Sequence, residues 1–391
     1  MKIIYILSGT SLYGGATKSI LNLLSEVSKK DHQVLIICPN NHGIYEKLTS
    51  EPKKNINIEC IKYTYDIYPK KNNLKDCILY IPRFIKRFIL NRKAANRLYK
   101  IAKQFSPDLI HTNTSVNNIG FITSKKLQIP HIWHIREYGK LDFNMVVPCQ
   151  SRKLSYPNNY IITITRDIAR YKKLSTNPRH KTIYNGIVRI NNFRKKSIWE
   201  KYFLYAGRVT EKKGIFDLLK AFYIYTKRTT NEIFQLKIAG EISTETREKI
   251  ESYCREYNIS DKIDILGNVD DIGSLMYSAA ATIVPSYFEG FGRVLPEAMA
   301  NGSLTIGRDT GGTKEQYDNG LNITGIEIGF RFKSIDQLAL NLQEITKHDK
   351  SYFYPMIDAS QYVVKKLYSV ESSSSCIVEF YKKILSNKNG Y

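Results

Sequence analysis

The chain has 391 residues, 42% of them apolar, and a formal charge of +23. That length is long for one hydrophobic core and comfortable for two, and no apolar run reaches the roughly 18 residues that would span a bilayer. The six cysteines are scattered without a C-x-x-C pair, which argues against a zinc ribbon and for a reducing compartment, by default the cytoplasm.

The N-terminus, Met1 to Leu7, is apolar but short and runs into Ser8-Gly9-Thr10 without a cleavage-type site. It reads as a first strand and not as a signal peptide. A loop with Gly14-Gly15 follows, and Ile20, Leu21, Leu23, Leu24 and Val27 then recur at helical spacing. Val34–Cys38 has the look of a buried strand, and Ile56–Ile61 alternates. Leu109–His111, His131–His134 and Tyr160–Thr165 are further short apolar runs, separated by helix-length segments. Strands alternating with helices predict a parallel sheet covered on both faces.

After a polar, basic stretch, Arg189–Lys201, the pattern restarts. Phe203–Ala206 is a strand, and Ile215, Leu218, Leu219 and Phe222 form one helical face. Leu236–Ala239, Ile263–Leu266, Ala280–Val284 and Leu304–Ile306 are further strands. The expected fold is therefore α/β, with two facing Rossmann-like domains, a cleft between them, and a join near residues 187–200. Open sheets of this kind bind ligands at the carboxyl ends of their strands. A serine patch, Ser372–Ser375, precedes a last helix with Ile377, Phe380, Tyr381 and Ile384 on one side.

The stretch most suited to chemistry is Pro285–Gly302. It follows the strand ending at Val284 and holds Gly290, Phe291, Gly292 and Arg293 between two glutamates, Glu289 and Glu297. A helix enters near Val294, with Pro296 in its first turn, and Asn301-Gly302 is a good stop. Glycines let backbone amides approach a ligand, and carboxylates bond hydroxyls while repelling phosphate, so the stretch reads as a grip on a polyol. A second group lies at another strand end. Arg208 follows Phe203–Ala206, and Lys213-Gly214 opens the next helix. Two cations beside a helix N-terminus suit a diphosphate leaving group, and the chain has no D-x-D sequence to hold a metal there.

The string Glu289–Glu297 resembles the E-x7-E signature of the retaining glycosyltransferases of family 4, which have the GT-B fold, and the likeness extends over most of the chain. It implies a nucleotide-sugar donor site, with Glu289 at the sugar hydroxyls and Glu297 at the nucleotide ribose. The Gly207 to Gly214 stretch resembles the family's phosphate motif. Gly311-Gly312, with Glu315 beyond, resembles its second glycine pair, although a plain turn would look the same. Gly14-Gly15 matches the family's flexible first loop. His134 resembles a histidine set against the donor sugar, but Ile135 stands where the family often has Asp. His111 is a weaker candidate, and Asn185-Gly186 resembles a hinge-side pair that reads equally as a turn.

These likenesses imply a front-face substitution with retention, no protein nucleophile, no metal or other cofactor, and a domain layout of 1–190, 197–370 and a returning helix at 371–391. Glu289, Arg208, Lys213 and His134 would be catalytic. Other GT-B enzymes, such as a nucleotide-sugar epimerase, remain open as a reading.

Charge is unevenly spread. Up to Lys196 there are 35 Lys and Arg against 11 Asp and Glu, leaving 24 against 25 in the rest. A nucleic-acid partner is disfavoured, since no recognition motif accompanies the charge. The segment Ile81–Phe105 carries Arg83, Lys86, Arg87, Arg92, Lys93, Arg97, Lys100 and Lys103 and no acid, with Phe84, Phe88, Ala95, Leu98, Ala102 and Phe105 near one helical face. It reads as a basic amphipathic helix that docks on an anionic membrane, where a lipid-linked glycan acceptor of the kind used in capsule or lipopolysaccharide synthesis would lie. An ordinary sheet-packing helix with solvated cations is the other reading.

Overall fold

A computed structural model describes residues 1–12, 14–29, 32–71, 73–194, 199–230 and 232–386. The chain divides into two compact units. One holds Met1–Gly186 together with the chain from Ser373 onward, and the other holds Ile187–Ser372. The expected domain start at 197 and the chain end at 387–391 lie outside the described residues.

The first unit is built on seven strands: β1 (Lys2–Ile6), β2 (Gln33–Cys38), β3 (Ile56–Cys60), β4 (Leu109–Thr112), β5 (His131–Ile135), β6 (Asn159–Thr163) and β7 (His180–Thr182). All pairs are parallel, in the order β3-β2-β1-β4-β5-β6-β7. The second holds β8 (Glu200–Ala206), β9 (Gln235–Ala239), β10 (Ile263–Gly267), β11 (Ala279–Val284), β12 (Leu304–Arg308) and β13 (Phe330–Phe332), in the order β10-β9-β8-β11-β12-β13, again parallel. The central strands are apolar on both faces because helices cover both, as in β11, where all six residues are buried. Strands β7 and β13 were not legible. Each has three residues at a sheet edge, too short for a pattern.

In each sheet the strand order reverses beside the first strand of the unit. The chain steps from β1 to β2 on one side, then returns to β4 on the other. It does the same from β8 to β9 and back to β11. Such a switch point leaves a crevice outside the strands' carboxyl ends, where ligands bind in doubly wound sheets.

The last helix begins at Val370, so Ser372–Ser375 lies inside it and not before it. Small hydroxyl side chains permit close packing there, and Ser373 Oγ donates to Tyr184 O at 2.6 Å. Ile377, Phe380, Tyr381 and Ile384 join the core of the first unit beside Ile3, Tyr5 and Leu7.

The basic segment forms the helix Tyr80–Phe105, and its expected single apolar face is divided. Ala95, Leu98 and Ala102 pack on the sheet with Ile4, Ile6 and Ile110. The N-terminal half instead leaves an apolar stripe in solvent. Ile81, Ile85 and Phe88 are exposed, four and three residues apart, with Ile89 beside them, and Leu74 and Ile78 of the separate short helix Leu74–Ile78 that precedes it are exposed too. Phe84 turns inward and stacks on Tyr68. Two of the eight cations of this segment also turn back. Arg83 pairs with Asp76 at 2.5 Å, and Arg87 donates to Ile67 O at 2.9 Å. Lys86, Arg92 and Lys93 stay exposed. No helix among the described residues is long and apolar enough to cross a membrane.

Candidate active site

In the second unit the expected residues gather at the switch point between β8 and β11. The loop after β8 carries Arg208, and a single 3-10 turn, Glu211–Lys213, brings Lys213 toward the loop after β11. Lys213 Nζ lies 2.6 Å from Glu289 Oε1, both side chains being half-buried. Burial holds the Tyr205 phenol well above its ordinary pKa, with the Glu289 carboxylate adding to it. The Tyr205 hydroxyl donates to Arg208 O at 2.7 Å and so fixes the loop's start. The Arg208 guanidinium itself is exposed and only 3.7 Å from an equally exposed Glu241. Surface pairs of this kind contribute less than about 1 kcal/mol, so Arg208 exchanges partners easily.

Glu297 lies in the helix Val294–Ala300, where Arg293 Nη2 meets it at 3.1 Å. Each expected carboxylate thus has its own cation. The helix closes as predicted at Asn301-Gly302. The Ser303 amide bonds Ala298 O at 3.1 Å, and the Gly302 amide bonds Met299 O at 3.0 Å, the paired bonds of a Schellman stop.

Two glycines are dictated by close approach. Gly214 sits at φ +75°, and a Cβ there would lie 2.1 Å from Pro285 O, so the β8 and β11 loops touch at this point. At Gly312 a Cβ would lie 2.7 Å from Phe291 O. That allows the Gly312 amide to bond Glu289 O at 2.8 Å. Gly311 and Gly312 therefore open the helix Gly311–Thr324 instead of forming a plain turn, and they pin the loop of Gly290, Phe291 and Gly292. Glu315 is buried in that helix. Gln316, unremarked in the sequence, donates to Phe291 O and, at 3.2 Å, to Gly292 O. Arg308 was also missed. It donates to Pro285 O at 2.9 Å and pairs with Asp217 at 2.5 Å, holding the strand-end proline from below.

The first unit presents a different kind of chemistry. Gly14 caps the helix Gly15–Val27 with an extended backbone. On the sheet face that carries the last helix, buried polar side chains cross from strand to strand. Tyr381 OH is 3.1 Å from Tyr5 OH and 2.6 Å from His111 Nδ1, and His111 Nε2 is 3.1 Å from His134 Nδ1. Arg136 reaches His134 Nδ1 at 3.3 Å, Asn113 Oδ1 at 2.8 Å and Asn185 Oδ1 at 2.5 Å. The Asn185-Gly186 pair is thus more than a turn, since Gly186 O also accepts from Asn22 at 3.0 Å. Burial first, then the Arg136 charge, holds both His111 and His134 well below the usual histidine pKa, so both are neutral. Arg136 and Asn113 were readable in principle. They follow His134 and His111 by two residues, the strand period that keeps a side chain on one face.

Comparison with known proteins bears on both units. A family model described as "Glycosyltransferase Family 4" matches residues 13–188, and one described as "Glycosyl transferases group 1" matches residues 189–353. An uncharacterized glycosyltransferase of Methanocaldococcus jannaschii is 28% identical over 300 residues, 73% of this chain and 81% of the relative. The capsular polysaccharide biosynthesis glycosyltransferase CapH of Staphylococcus aureus is 31% identical over 131 residues, 33% of this chain and 36% of its own. Among solved structures, Anabaena HepE in complex with UDP superposes with a TM-score of 0.74 at 17% identity, covering 98% of this chain and all of the other. At that identity the likeness shows the fold, which is GT-B.

Proposed function

Because the chain belongs to the group 1, family 4 glycosyltransferases, we propose that it moves a sugar from a nucleotide-diphosphate donor to a hydroxyl acceptor, with retention and without a metal or other cofactor. The meeting of Glu289 with Lys213 at the β8–β11 switch point carries this reading. UDP bound to the Anabaena neighbour supports a nucleotide donor. Glu289 bonds the sugar hydroxyls, and Lys213 and Arg208 neutralise the diphosphate as its charge grows. Glu297 holds the ribose, and the amides of the Glu289–Arg293 loop approach the donor. In the first unit, Gly14-Gly15 approaches the diphosphate and His134 the sugar. The acceptor oxygen bonds to the anomeric carbon as the bond to the diphosphate oxygen breaks on the same face. The acceptor's proton passes to the leaving phosphate, so no protein nucleophile is needed.

The acceptor is lipid-linked, and the protein docks on the inner face of an anionic membrane. The exposed apolar side chains of Leu74, Ile78, Ile81, Ile85 and Phe88 enter the interface while Lys86, Arg92 and Lys93 meet the headgroups. A second copy of the chain is disfavoured on that surface, because two strongly basic surfaces would repel. CapH, which acts in capsular polysaccharide biosynthesis, is consistent with a cell-surface glycan.

Transfer assayed in EDTA, with the product's anomeric proton read by NMR, tests the chemistry. The expected result is undiminished transfer and a product of the donor's configuration. Inversion, or activity that returns only with Mg²⁺ or Mn²⁺, contradicts it. Co-sedimentation with vesicles tests the docking. Ile81→Ser with Phe88→Ser should release the protein from anionic vesicles, and equal binding to neutral vesicles would refute the membrane reading.

A further inference from the structure

The first unit exposes a second apolar element. The chain leaving β5 makes one helical turn, Lys140–Phe143, and Leu141, Phe143 and Val146 all stand in solvent. Phe143 is 56% exposed, more than Ile85 of the stripe at 49%. Single exposed apolar residues are ordinary, but grouped ones mark a contact. The segment Tyr65–Tyr68 ties this loop to the helix Tyr80–Phe105. The Tyr68 amide donates to Val146 O at 2.9 Å, and the Tyr68 ring stacks on Phe84 with centroids 5.7 Å apart. Arg87 holds Ile67 O at 2.9 Å, and Lys153 pairs with Asp66. Tyr65 and Tyr68 are themselves exposed, and tyrosine suits the boundary between water and lipid.

The charge around both elements has one sign. Between residues 62 and 106 the acids are Asp66 and Asp76, each paired with a cation. Asp142 turns its carboxylate to the amides of Tyr138 and Gly139, at 2.9 and 2.7 Å. Lys70, Lys75, Lys86, Lys93 and Lys140 are exposed. An apolar surface rimmed by such cations matches an anionic bilayer, and the same cations oppose a second copy of the chain.

We propose that the Leu141–Val146 loop is a second membrane-entering element, which brings the lipid surface to the carboxyl end of β5. The inference rests on the proposed membrane docking and adds to it the place where a lipid-linked acceptor reaches the first unit. The helix alone would anchor the unit without fixing which sheet edge meets the lipid. Two elements joined through Tyr68 fix it. The loop leaves the carboxyl end of β5, beside that of β4, so a headgroup at the bilayer surface lies next to the strand ends where such sheets bind ligands.

Fluorescence of an introduced tryptophan reads the contact. The native chain supplies a background of two tryptophans, Trp133, which is buried, and Trp199, in the other unit. With anionic vesicles carrying bromine on their acyl chains, Phe143→Trp and Phe88→Trp should each show quenching beyond that background. Quenching in Phe88→Trp without quenching in Phe143→Trp overturns the second element and leaves docking through the helix standing. Quenching in neither, with no co-sedimentation, overturns both. Leu141→Ser with Phe143→Ser should weaken binding to anionic vesicles about tenfold or more, since a Leu and a Phe no longer enter the apolar phase. Unchanged binding contradicts the proposal. All three substituted positions are exposed, so the fold tolerates the changes. Self-association without lipid that the same double substitution abolishes would assign the surface to a second copy and overturn the membrane assignment.

Discussion

The two units of this chain solve the same topological problem with opposite chemistry. At the switch point of the second, half-buried ions lie in pairs, Lys213 with Glu289 and Arg293 with Glu297. Near the corresponding point of the first, Tyr5, His111 and His134 are fully or almost fully buried, and both imidazoles are neutral. Ion pairs near solvent are held by little energy and can trade one partner for a phosphate or a hydroxyl. A buried hydrogen-bonded chain cannot, because each unmet group costs its full desolvation. One unit is therefore equipped to respond to a charged ligand, while the other holds its buried polar groups in one arrangement.

The largest effect expected from breaking this contrast is on turnover. Glu289→Gln should lower kcat by on the order of 10²-fold or more, because its hydrogen bonds matter most as the sugar bond breaks. Glu297→Gln should raise donor KM with kcat nearly kept, since a ribose contact is made equally in ground and transition states. Steady-state kinetics showing the opposite split would exchange the roles of the two acids.

Next in size is the contact between the loops. Gly214→Ala would force a Cβ against Pro285 O at a positive φ, costing on the order of 2 kcal/mol or more. Urea unfolding measures the loss, and an unchanged midpoint would mean that the β8 and β11 loops do not touch as described.

A smaller effect separates the units by pH. His131, between Thr112 and Asn159, has its pKa lowered to about 3 by burial. A folded pKa below the unfolded value of 6.5 gives stability that is present above 6.5 and lost as the pH falls toward 3. All three fully buried histidines, His111, His131 and His134, belong to the first unit, so acid should weaken that unit first. His131→Gln should flatten the loss by up to about 1.4 kcal/mol per pH unit below 6.5. Identical urea midpoints for the variant and the native protein across pH 7 to 5, relative to their own pH 7 values, would contradict it.

How much of this was readable depended on the kind of signal. Long central strands such as Ala279–Val284 announce themselves as apolar runs, whereas β7 and β13 carry three residues each and no pattern. The E-x7-E stretch, Arg208 and Lys213 are local in sequence, and the fold joins them at one switch point. The hydroxyl partner of His111 is not local. Tyr381 lies 270 residues from His111, and no spacing rule could have joined them. The apolar stripe on the helix Tyr80–Phe105 was misread in part for a related reason. Which half of a helix meets the sheet depends on the sheet's extent, and that is not written in the helix itself.

The most direct test is thermal unfolding of the native protein with UDP, GDP, ADP and CMP in turn. One nucleoside diphosphate should raise Tm, corresponding to about 2.7 kcal/mol at a hundred times its Kd, and the rise should shrink in Arg208→Ala and Lys213→Ala. No rise with any nucleotide, or a rise untouched by both substitutions, would contradict the assignment of the diphosphate to the β8–β11 switch point.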